Sequence, residues 1–108
     1  MIKTKINWYK LAESNLYELK TLPMAIKNLQ KRSDENSKQI LETKLELQES
    51  LKEIMGILTE EEQDFINKFY NKLHSPVKMQ QEMCISQATF YRIKRTVVKK
   101  VAQYRGYL

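Results

Sequence analysis

At 108 residues the chain is one domain, or a small domain with a helical extension, able to bury a modest core but not to enclose an enzyme-sized cavity. With two glycines and two prolines among abundant Lys, Glu, Leu and Gln it reads as all-α, and its single cysteine excludes an internal disulfide. The net charge of +6 points to a polyanionic partner, while the lack of any membrane span or signal-peptide core leads us to expect a cytoplasmic protein with no membrane partner.

A first helix is predicted from about Asn7. Trp8, Leu11, Ala12, Leu16 and Leu19 give it a loose apolar face that Tyr9 and Tyr17 broaden, and core packing is the expected role of these aromatics. Leu22-Pro23 breaks it, because the residue before a proline is pushed out of the helical region. Thr21 or Leu22 then caps a second helix with Pro23 at its first position, where Met24, Ile26 and Leu29 begin the apolar face. The polar stretch Lys31–Ser37 is either a connecting loop or the exposed middle of one long helix, so residues 23–58 form two helices or one. From Ser37 a clearer helix runs to about Leu58, with Ile40, Leu41, Leu45, Leu47, Leu51, Ile54, Met55 and Leu58 apolar. Ile40, Leu47 and Ile54 recur every seven residues as in a coiled-coil seam, but the companion positions are Thr43 and Ser50. Packing within the chain is therefore as good a reading as a coiled-coil dimer. Gly56 marks a hinge or a frayed end.

Thr59-Glu60-Glu61-Glu62 is a capping box, with Thr59 and Glu62 satisfying each other's backbone N–H groups and the acids suited to the positive end of a helix dipole. The helix it starts should turn Phe65, Ile66, Phe69, Tyr70 and Leu73 inward and end near His74. Ser75 caps the next helix with Pro76 at its first position, and Met79 and Met83 share one face. Cys84 is the turn residue, Ile85 follows it, and Ser86 caps a long last helix. Phe90, Ile93, Val97, Val101, Tyr104 and Leu108 form one stripe along that helix, and Gly106 can end it. Two helices joined by so short a turn over a small shared core make a helix-turn-helix. The expected organisation is an N-terminal helical half, residues 1–56, as a candidate oligomerisation region, followed by a helix-turn-helix DNA-binding domain with a long recognition helix, residues 57–108.

With Phe90 and Ile93 inward, Ser86, Gln87, Ala88, Tyr91, Arg92 and Arg95 point outward from the start of the last helix, where a recognition helix meets base edges in the major groove. Gln suits adenine and Arg suits guanine through paired hydrogen bonds. Lys94, Lys99 and Lys100 are expected at phosphates, where they position without reading sequence. The charge is also segregated. Residues 1–33 carry a net +5, residues 34–63 a net −6 and residues 75–108 a net +6, with no acid from Cys84 onward. One end of the chain thus faces a polyanion.

Catalytic chemistry is not indicated. His74 and Cys84 are alone of their kinds, there is no glycine-rich phosphate loop, and the carboxylates lie at solvated helical spacing. No enzyme activity, metal or cofactor is expected.

LTEEEQDFINKFY followed by VKMQQEMCISQATFYRIKRTVVKKVA resembles the region-4 DNA-binding module of sigma-70-type factors. The closer resemblance is to the ArpU/RinA-like phage transcriptional regulators, whose C-terminal helix often carries an aromatic pair before an Ile-Lys motif, as in Phe90-Tyr91-Arg92-Ile93-Lys94. It spans residues 57–104. Where such motifs usually have glycine in the turn this chain has Cys84, and Gln80 stands where a small residue is common. The resemblance implies a phage or prophage activator of late genes in the bacterial cytoplasm, with recognition roles for Gln87, Tyr91, Arg92 and Arg95. Activation needs a contact with bacterial RNA polymerase, though a repressor has the same sequence features. A homodimer would read half-sites about one helical turn apart. The competing reading is an adaptor, structural or phage-packaging protein in which the helix-turn-helix serves assembly and the acidic middle helix docks another protein.

Overall fold

The Asn7 side-chain oxygen accepts the N–H of Lys10 at 3.1 Å and caps α1 (Trp8–Tyr17). The computed structural model describes residues 7–108, so residues 1–6 of the expected N-terminal region lie outside the described residues. Within them the chain is all-α, with six α-helices and no strand. None of these helices is long and apolar enough to cross a membrane.

The break expected at Leu22-Pro23 is a tightening instead of an interruption. Glu18–Lys20 forms a 3-10 turn and Thr21 keeps a helical backbone, so α2 (Leu22–Gln30) follows without a loop. Pro23 takes the second helical position, where its missing N–H leaves no bond to lose. Thr21 does not cap; its hydroxyl donates to the Glu18 carbonyl at 3.3 Å.

Residues 31–34 are a short connection, so residues 23–58 make two helices. The second, α3 (Glu35–Ile57), starts two residues before Ser37. Asp34 is its cap, accepting the Ser37 N–H at 2.9 Å and the Ser37 hydroxyl at 2.8 Å, a charge-assisted pairing at the positive end of the helix. Leu47, Leu51, Ile54 and then Leu58 are buried along one face, while Ile40 and Leu45 stay exposed. The lower part of the heptad-like stripe is thus consumed inside the monomer. Helix α3 passes through Gly56, and the Gln63 side chain closes its end by donating to the carbonyls of Met55 (2.7 Å) and Leu58 (3.1 Å).

Helix α4 (Glu60–Ile66) has the capping box on both sides: Thr59 Oγ1 accepts the Glu62 N–H at 3.2 Å, and Glu62 Oε1 accepts the Thr59 N–H at 3.0 Å. It then widens into a π turn, Asn67–Asn71, in which the Lys72 N–H reaches back five residues to Asn67. Phe65, Ile66 and Tyr70 are fully buried and Phe69 partly so. Leu73, expected inward, is 53% exposed with φ +57°. The wider turn offsets the helical register, and the left-handed residue then turns the chain out of the helix.

Helix α6 (Gln87–Arg105) is the spine. Phe90, Ile93, Val97 and Val101 are buried as expected, but so are Val98 and Ala102, while Tyr104 and Leu108 are exposed. The buried face is rotated because α1 lies along α6. Glu13 of α1 meets Lys94 at 3.2 Å, and the Asn15 amide donates to the Tyr107 hydroxyl at 2.7 Å. Gly106, at φ +77°, ends α6 with the Tyr107 N–H donating to Ala102 at 2.8 Å and its own N–H to Gln103 at 3.3 Å. Ala12, Leu16, Leu22, Leu51, Ile54, Phe65, Met79 and Phe90 belong to one cluster of buried side chains. The helices on either side of residues 56 and 57 therefore share a single core.

Glu62 links the capping box to α6, since its carboxylate also takes Lys100 Nζ at 2.8 Å. Burial alone would raise its pKa; the Lys100 and Thr59 hydrogen bonds outweigh that and hold it below the ordinary glutamate value. Because the folded-state pKa is depressed, the stability Glu62 adds is present above the unfolded value near 4.5 and lost as pH falls below it. Thermal melts of wild type and Glu62→Gln should differ at neutral pH and converge as pH is lowered through 4.5. A constant gap across that window would refute the role given to the ionised carboxylate.

Candidate nucleic-acid interface

Helix α5 (Pro76–Met83) and α6 are built by four local devices. Ser75 Oγ accepts the Lys78 N–H at 3.1 Å, and Pro76 supplies the first helical φ. Cys84 closes α5 in the left-handed region at φ +54°, ψ +48°, which lets the Ile85 N–H reach the Gln80 carbonyl at 3.0 Å. Ser86 Oγ then accepts the Thr89 N–H at 3.1 Å and starts α6. Met79 and Phe90 are fully buried beneath the turn, and Phe90 packs on Phe65 and Phe69 with ring centroids 5.3 Å away in each case. A helix pair on an aromatic seat results.

The left-handed turn is strained at a non-glycine residue, by about 1–2 kcal/mol. Glycine would relieve it at some cost in unfolded-state entropy, roughly 0.5–1 kcal/mol. Cys84→Gly should therefore stabilise the chain by about 0.5–1 kcal/mol, raising the melting midpoint by a few degrees. A lowered midpoint would show that the Cys84 thiol, which donates to the Gln81 carbonyl at 3.8 Å, matters more than the strain.

The expected site residues divide into two groups. Gln87, Ala88, Tyr91, Arg92, Arg95 and Lys99 are all exposed, as is Ser86, whose hydroxyl oxygen is already occupied in capping. Ala88, Arg92, Arg95 and Lys99 follow at steps of four, three and four, one stripe about 16 Å long at the helical rise. Arg92, Arg95 and Lys99 make no ion pair with any described residue. Glu61 and Glu62 line a shallow hollow together with Arg92 and Thr96, so the N-terminus of α4 borders the stripe with negative charge.

Lys94 and Lys100 are the exceptions. Both were expected at phosphates, and both turn to the body of the protein. Lys94 Nζ lies 3.2 Å from Glu13 Oε2 on α1 and 5.4 Å from the centre of the Phe69 ring. Lys100 binds Glu62. The reason is position: Lys94 is four residues from Phe90 and from Val98, so its stem lies along the flank of the buried stripe and only its tip seeks a charge. That spacing was readable in the sequence; the acids that answer it were not, since Glu13 and Glu62 come from distant helices.

The six cations of α6 thus split evenly. Lys94, Lys100 and Arg105 are held by Glu13, Glu62 and Glu46 respectively, while Arg92, Arg95 and Lys99 remain open to solvent. Arg105 Nη1 also donates to Ser50 Oγ at 2.9 Å, and the Tyr104 hydroxyl donates to Glu53. Part of the charge segregation along the chain is therefore self-complementarity, because acids of the middle segment pair Lys100 and Arg105 in the second half of α6. Among the described residues no three His, Cys, Asp or Glu side chains are placed to hold a metal ion. No protein-family model, curated protein or solved structure matches the chain.

Proposed function

We propose that this chain is a sequence-specific, double-stranded DNA-binding regulator of transcription. One observation carries the reading: a stripe of arginine and lysine without an ion pair among the described residues, with Gln87 and Tyr91 at its start, on the solvent face of the second helix of a helix-turn-helix. Gln87, Ala88 and Tyr91 occupy the first turns, the part of such a helix that enters the major groove. Arg92 and Arg95 suit paired hydrogen bonds to guanine, and Lys99 suits a phosphate. The resemblance of residues 57–104 to phage regulators supplies the setting: a late-gene activator of a phage or prophage, in the cytoplasm of a bacterial host, with RNA polymerase as its protein partner.

The alternative, an adaptor or packaging protein, is favoured by the apolar residues left outside the core on the N-terminal helices, Met24 at 65% exposure and Ile40 and Leu45 at just over 40%. Fluorescence anisotropy on a pool of random duplexes, titrated with salt and followed by sequencing of the bound fraction, separates the two. Salt-sensitive binding with an enriched motif supports the regulator. Binding without enrichment supports packaging, and no binding at low salt removes the DNA reading.

A further inference from the structure

We propose that Glu13 is a positioning residue that withholds Lys94 from DNA, so that α1 sets how many cations the recognition helix presents. The inference rests on the DNA-binding reading above and concerns the regulation of the same face. Lys94 directly precedes Arg95 and lies one turn after Tyr91, so its four-carbon stem could carry an ammonium to the edge of the exposed stripe. Instead the ammonium meets Glu13 Oε2 at 3.2 Å, and the same oxygen accepts the Tyr70 hydroxyl at 2.8 Å. The three side chains come from α1, the π turn and α6, and only 20% of Lys94 and 19% of Glu13 remain exposed.

Two physical consequences follow. Burial disfavours the charge on Lys94, but the Glu13 hydrogen bond and charge outweigh it and raise its pKa, so the lysine is a cation held by an internal partner. A phosphate that took this ammonium would strand the Glu13 carboxylate in a largely covered site, a penalty that an exposed cation such as Lys99 does not carry. Lys94 in this arrangement releases no counterion from DNA, and α6 presents Arg92, Arg95 and Lys99 alone.

Glu13→Gln tests this in the full chain. The amide oxygen can still accept the Tyr70 hydroxyl and the side-chain shape is kept, so a thermal melt should find the fold intact. With the charge gone Lys94 is released. On random-sequence duplex, the slope of log K against log salt should steepen by about 0.9, the contribution of one further phosphate contact. Adding Lys94→Met to Glu13→Gln should return the slope to that of the wild type. A merely structural role for Glu13 would change affinity or melting without this reversal.

An unchanged slope in Glu13→Gln, or a steeper slope that survives in the double variant, overturns the inference while leaving the DNA reading in place. A wild type that shows no salt-dependent duplex binding removes the DNA reading itself, and the inference with it.

Discussion

Phe90→Ala should destabilise the chain by about 3–5 kcal/mol, a large part of the roughly 5–15 kcal/mol available to a domain of this kind. The ring is completely buried and joins α6 to α4, tilted on Phe65 at 56° and edge-on to Phe69 at 82°, with both centroids 5.3 Å away. Truncation removes the transfer free energy of the ring and leaves a cavity between Phe65 on α4 and Phe69 on the π turn. Urea unfolding followed by circular dichroism measures it. The adjacent residue is the control: Tyr91 is 49% exposed, and Tyr91→Ala should alter stability by no more than about 0.5 kcal/mol. Similar losses for the two variants would mean that the face of α6 assigned to the core is wrong.

Arg95→Ala should lose about 1–3 kcal/mol of discrimination between a selected site and random duplex, a factor of roughly 5 to 150. Arg95 is exposed in the middle of the stripe and makes no ion pair with any described residue. Arg92→Ala should fall in the same range or below it, since Arg92 shares its hollow with Glu61 and Glu62 and a base edge must compete with their charge. Lys99→Ala should act differently, weakening all duplexes alike and reducing the salt slope by about 0.9. Competition binding against the selected site and a scrambled site, at two or more salt concentrations, resolves the three. Unchanged discrimination in both arginine variants would move the reading surface off α6.

Most of what could be read along the chain is governed by neighbours three or four residues away. The Thr59–Glu62 box, the Ser75 and Ser86 caps, Pro76 at a helix start and Gly106 at a helix end all stand where their chemistry places them. Cys84 takes the left-handed turn despite its side chain, and Ser86 two residues later caps the next helix. The inward role of Phe90, Ile93 and Val97 belongs with these, since a helical period of 3.6 and apolar side chains leave one reading. The displaced start of α3 is a near case: both Asp34 and Ser37 can cap, and the carboxylate at the earlier position takes two hydrogen bonds from Ser37.

What tertiary structure decided are the flanks and the charges. Val98 and Ala102 are buried and Tyr104 is not, because α1 lies on one side of α6, a fact absent from the period of α6 itself. Leu73 faces solvent because α4 widens into a π turn, which no pattern of apolar residues specifies. Lys94 and Lys100 sit on the flanks of the buried stripe and find an acid across the interface, Glu13 for one and Glu62 for the other, while exposed Lys99 finds none among the described residues. The amino-acid sequence by itself determined the all-α class, the Thr59, Ser75 and Ser86 caps and the outward residues at the start of α6, because these depend on hydrogen bonds and packing within a turn or two. The tertiary structure alone decided which cations of α6 stay free, because an ion pair between distant helices depends on where those helices dock and not on spacing along the chain.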